Sequence, residues 1–224
     1  MGLDMYLERM PRYKNLKATD IMAINEYFSW MDAKAEGSEY ANCTLKEWCG
    51  VSINSISKEA SEFYEKYKSV KYSYWDNEHK YGHNRIYESV GYWRKANAIH
   101  KWFVDNVQDG KDDCDYYEVG KEQLEELLEI CKTIKNQSTL SDGWVKNGER
   151  YANGAWCPIY EEGQTIVNPE IAAELLPTQG GFFFGGTEYD QWYMRDIENT
   201  IEILTNVLET TDFNTDMIAY TSSW

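Results

Sequence analysis

The chain has 224 residues, 42% of them hydrophobic and 15% aromatic, and a formal net charge of −16. A chain of this length buries enough surface to fold without disulfide or metal staples, and so acidic a surface repels phosphate backbones, which excludes general nucleic-acid binding. Two partners stay compatible with it: a basic protein surface that normally holds nucleic acid, and a small ligand in a locally basic pocket.

The five cysteines, Cys43, Cys49, Cys114, Cys131 and Cys157, are odd in number and form no Cys-x-x-Cys pair. This argues against a disulfide framework and a zinc ribbon. The opening "MGLDMYLERMPRYK" has no basic segment followed by a long apolar run. No stretch approaches the roughly 18 apolar residues of a membrane span. The expectation is a reduced, soluble, cytoplasmic protein without membrane contact.

"GLDMYL" (2–7) alternates in polarity and reads as a strand, and "MIAYTSSW" (217–224), rich in β-branched and aromatic residues, reads as another. Between them a helix is expected from Thr19 to Ala35, ended by Gly37 and Ser38. Thr44 and Glu47 have capping-box spacing, so a short helix is expected at 44–48, followed by a second at 55–68. Residues 70–87 are aromatic and irregular and read as a loop with room for short strands. The apolar pattern of 88–107 predicts one long helix, followed by the acidic loop "QDGKDDCD".

Residues 121–135 predict an amphipathic helix with Leu124, Leu127, Leu128, Cys131 and Ile134 as its stripe. Residues 156–167 read as a hairpin turning near Glu161–Gln164. Asn168 and Pro169 suit the cap and first turn of a short helix ending before Pro177. A last helix is expected from near Thr187 to about Thr210. The sum is an α+β, mostly helical single domain over 1–224, whose small sheet includes the two terminal strands.

On a helical wheel of 88–107, Trp93 and His100 share the apolar face, while Arg94, Asn97 and Lys101, spaced i, i+3, i+7, form a polar strip beside it. An imidazole among tryptophans and next to a guanidinium should titrate low and stay neutral. It is then suited to ligand hydrogen bonding or general-base work. The plainer alternative is a core histidine tied to a backbone carbonyl or a carboxylate. His79 and His83 have metal-chelating spacing on a helix, but Gly82 interrupts them and the segment does not read as helical; with His100 they make a metal set only if the fold gathers them. No metal and no cofactor is expected.

The segment "PTQGGFFFGGTEYD" (177–190) sets three phenylalanines between glycine pairs just before the last helix. It lacks the Lys-Ser/Thr ending of a P-loop. Its phenylalanines read as core, while Gln179, Gly180, Gly186 and Thr187 are the groups left available to an anion near the helix start. Asp190 either meets the helix dipole and free amides of the first turn or pairs with Arg94 or His100 across a helix interface.

The segments "GLDMYL", "YWRKANAIHKWFV", "LPTQGGFFFG" followed by "YD", and the ending "SSW" resemble a family of proteins encoded by bacteriophages and prophages. The resemblance spans both ends of the chain but not 10–80. It implies a viral or prophage setting and supplies no activity, cofactor or catalytic residue.

Three functional readings follow. One is a phage accessory protein that holds a small anionic, nucleotide-like ligand between aromatic rings and Arg94, countering host defence. Another is an acidic interaction protein that inhibits a host nucleic-acid-binding or defence protein. The last is a nucleotide hydrolase using His100, which no catalytic motif supports. The composition is silent on oligomeric state.

Overall fold

The computed structural model describes residues 2–35, 43–44, 57–67, 86–181 and 184–224. The two terminal strands pair as expected: β1 (Asp4–Pro11) and β6 (Asp216–Ser223) run antiparallel, from Asp4 opposite Ser223 to Pro11 opposite Asp216. Two further strands flank them. β2 (Glu88–Arg94) pairs with β1, and β3 (Tyr117–Val119) with β6, giving an antiparallel sheet of order β2-β1-β6-β3.

Period-two alternation gives this sheet two apolar faces. Leu3, Met5, Leu7, Ile218 and Tyr220 point one way, with Trp93. They pack against α3 (Asn97–Asn106), α4 (Lys121–Gln137) and α6 (Gln191–Thr210). Met10, Met217 and Ala219 point the other way, onto α1 (Ala18–Ala35) and α2 (Lys58–Tyr67) through Ile21 and Phe63. The predicted stripe of α4 is buried in full, each of its leucines and Ile134 stabilising the fold by roughly 1.5–3 kcal/mol.

The expected helix over 88–107 is corrected. Its first third is β2, Lys95 turns the chain with a left-handed φ of 62°, and only then does α3 begin. Tyr92 and Trp93 suit an apolar helix face and a strand equally. Pairing with β1, Met5 opposite Trp93 and Tyr6 opposite Tyr92, decides for the strand and sends the two rings to opposite sides.

The expected hairpin at 156–167 is also corrected. β4 (Leu140–Ala152) and β5 (Ala155–Ile166) form one long ribbon that turns at Asn153-Gly154, not at Glu161–Gln164. Both turn residues have left-handed φ, 53° and 82°, as a two-residue type I′ turn requires. A short helix, α5 (Glu170–Leu175), follows Pro169 as expected, and α6 starts at Gln191, not near Thr187.

The expected helix at 44–48, except Thr44, and the pair His79 and His83 lie outside the described residues. So do Phe182 and Phe183, whereas Phe184 is core as expected. Among the described residues no helix is long and apolar enough to cross a membrane.

Candidate functional site

The segment between α5 and α6 is held in place by one side chain at the start of α3. Asn97 is buried, and its amide donates to the carbonyls of Phe184 (3.0 Å) and Gly186 (2.7 Å) while its oxygen accepts from the Gln179 amide (2.9 Å). Gly185 passes so close to Lys95 that a side chain there would meet the Lys95 carbonyl at 3.2 Å, and its φ is +89°. The glycines of this segment therefore let it lie against the β2–α3 turn.

Asp190 then caps α6. Its Oδ1 accepts from the amides of Trp192 (2.8 Å) and Tyr193 (3.2 Å), which is the helix-start reading. The alternative pairing of Asp190 with Arg94 or His100 is not formed. The base of the hairpin is tied to the same point: Ile166 donates its amide to the Tyr189 carbonyl (3.0 Å) and Gln164 to the Gln191 side chain (2.9 Å).

These ties leave a cavity of about 1110 Å³ between the end of β2, the start of α3, the first turns of α6 and the hairpin. The hairpin contributes Lys146 to Glu149, the stretch where its register shifts by a bulge. Tyr92, Trp93, Trp192 and Tyr193 are among the residues that line the cavity, although the Tyr92 ring itself packs on Tyr6 and donates its hydroxyl to Asp4. Trp93 is buried, with its indole N–H donating to Thr200 (2.9 Å), while Trp192 is 45% exposed.

Arg94, Lys95 and Arg195 also line the cavity, and none of the three joins an ion pair among the described residues. Lys146 is paired with Glu149 at 2.7 Å. Of the acidic lining, Glu188 accepts from the Thr187 amide and Asp190 from the helix start. Asp196 has no hydrogen-bond partner for its carboxyl among the described residues. Burial pushes this carboxyl up to about 7, against the lowering influence of Arg195 and with a smaller push from Asp190.

Of the residues named from sequence, Trp93, Arg94, Asn97, Gly186 and Asp190 meet at this cavity. Gln179, Gly180 and Thr187 lie on the same segment without lining it. Lys101 points elsewhere and pairs with Asp105 at 2.5 Å. The polar strip of Arg94, Asn97 and Lys101 therefore does not exist, because Arg94 belongs to a strand and the other two to a helix.

His100 is fully buried and takes the core reading. Its Nδ1 meets the Tyr220 hydroxyl at 2.7 Å and its Nε2 the Asp112 carboxylate at 3.2 Å, with Phe184 edge-on to the ring. Its pKa is lowered, as expected, through desolvation. The nearby charge is the opposing carboxylate of Asp112, not a guanidinium. Among the described residues, no three His, Cys, Asp or Glu side chains gather as a metal site.

Sequence reasoning missed Trp192, Arg195, Asp196 and Asn199, which line the cavity from α6. Their i, i+3, i+4, i+7 spacing marks one helix face and was the signal available. Compared with protein-family models, curated proteins and solved structures, the chain matches none.

Proposed function

We propose that this cavity binds a small anionic, nucleotide-like ligand. The supporting observation is the convergence of Arg94, Lys95 and Arg195, in no ion pair among the described residues, with the half-exposed Trp192 on one cavity. Three cations that join no ion pair among the described residues, gathered on a protein of charge −16, run against the sign of its overall field. Guanidinium forks suit phosphate oxygens, and exposed rings suit a base. In the phage or prophage setting implied by the sequence motifs, such a protein acts in the host cytoplasm by withholding a small defence signal.

Thermal unfolding of wild type, Arg94→Ala and Arg195→Ala across mono-, di- and cyclic nucleotides tests this. A ligand at a hundredfold excess over its Kd stabilises the native state by about 2.7 kcal/mol. The reading expects a shift in wild type that both variants reduce. No shift with any compound overturns it.

A second reading, an acidic protein that inhibits a host protein, is favoured by the hairpin. Trp144 lies opposite Glu162, Lys146 opposite Tyr160 and Tyr151 opposite Trp156. Alternation then places Trp144, Tyr151, Trp156 and Tyr160 on one face of the ribbon, each more than half exposed. Aromatic rings grouped on a surface suit a protein interface. This reading expects partner binding that weakens with salt, survives Arg94→Ala and is lost in a Trp144→Ser, Trp156→Ser variant.

A further inference from the structure

We infer that Asp196 makes anion binding in this cavity proton-linked, so that a ligand of fixed negative charge enters with uptake of one proton by this carboxyl. The inference rests on the anion-binding reading of the same site. Its basis is a charge balance. From β2 and the turn after it come Tyr92, Arg94 and Lys95; from the hairpin come Lys146 and Glu149, which neutralise each other. From α6 and the residues before it come Glu188, Asp190, Tyr193, Arg195 and Asp196 itself.

With Asp196 ionised, three unpaired cations face three carboxylates and the site has no net charge. With Asp196 protonated the site is positive by one. Two of the carboxylates already have defined work, Asp190 holding the first amides of α6 and Glu188 the amide of Thr187. Asp196 alone of the three accepts no hydrogen bond among the described residues, Arg195 only partly offsets its burial, and its position near pH 7 places the change within the ordinary range. A bound anion beside it raises its proton affinity further, and linkage makes that effect mutual.

The test uses full-length protein with 3′,5′-cyclic mononucleotides and inorganic sulfate, whose charges do not change between pH 5.5 and 8.5. Titration calorimetry of wild type in two buffers of different ionisation heat counts protons directly. Uptake approaching one proton per ligand at pH 8.5 is expected, together with a Kd that weakens toward about tenfold per pH unit above 7. Asp196→Asn, which keeps the shape and removes the charge, should bind with a flat pH profile and no uptake. Its folding is checked by its own unfolding transition, and the wild-type proton count stands without it. Binding without proton uptake overturns the inference and leaves the anion-binding reading intact. Absence of binding to wild type and Asp196→Asn at every pH overturns both.

Discussion

The side chain of Asn97 donates to the carbonyl of Gly186 at 2.7 Å, joining the first turn of α3 to the segment that closes one side of the cavity. With its two other bonds, to Phe184 and Gln179, it satisfies three backbone groups from one buried amide. Asn97→Ala should cost about 2–3 kcal/mol, since it strips the buried Phe184 carbonyl and two partly buried backbone groups of this partner. Amide exchange of 178–187 should accelerate more than that of α4. Asn97→Asp, which cannot donate, should not rescue it.

Asp196 and His100 give stability opposite pH dependences. The Asp196 carboxyl is raised in the folded state, so the fold binds an extra proton between the unfolded value near 3.8 and about 7. Its favourable contribution is present at acid pH and is lost as pH rises to 7. His100 is lowered, so its neutral form is favoured by folding, and stability falls as pH drops below 6.5. Asp196→Asn should therefore raise stability at pH 8 by roughly 1–4 kcal/mol and change it little at pH 4. Urea unfolding at the two pH values checks this; equal effects at both would contradict it.

Asp190 is a cap before it is anything else. Asp190→Ala should cost about 1–2 kcal/mol, while Asp190→Asn, which also accepts from the first-turn amides, should recover most of it. Chemical denaturation of the three proteins separates the cases. If Asp190→Asn proved as damaging as Asp190→Ala, the carboxylate charge would matter beyond capping.

The hairpin should behave as a separate layer of stability. Gly154 occupies a left-handed position with open space around it, so Gly154→Val strains the turn without any clash. Amide exchange should rise across Tyr151 to Trp156, with the main unfolding transition nearly unchanged, because these rings are exposed and outside the core. A large drop in Tm would show instead that the turn supports the body of the fold.

Cys131 lies within the core stripe of α4, and burial pushes its thiol up to about 12. Alkylation of native protein at pH 8 should label the half-buried Cys43, Cys114 and Cys157 and spare Cys131 until unfolding. Peptide mapping by mass spectrometry reads the outcome.

Much of the scaffold was written in local pattern. Alternating polarity at the start of the chain and β-branched and aromatic residues at its end implied strands, and the five-residue stripe of α4 implied its buried face. The Asn153-Gly154 pair held the hairpin turn equally plainly, although the acidic stretch at 161–164 drew the expected turn away from it. Each of these signals depends only on a residue's near neighbours.

Whether 88–94 is helix or strand does not depend on neighbours alone. Tyr92 and Trp93 satisfy either period, and the open edge of β1 settles the matter by offering hydrogen bonds to a strand. The same holds for His100, whose carboxylate is Asp112, brought near by the turn after α3, not Asp190. The cavity likewise joins β2, α6 and a hairpin bulge, segments about fifty residues apart in the chain. Sequence by itself determined which stretches would be strand-like, amphipathic or capped, because propensity and periodicity are short-range. Only tertiary structure decided which charges share a space, because burial and pairing energies exist only once distant segments meet.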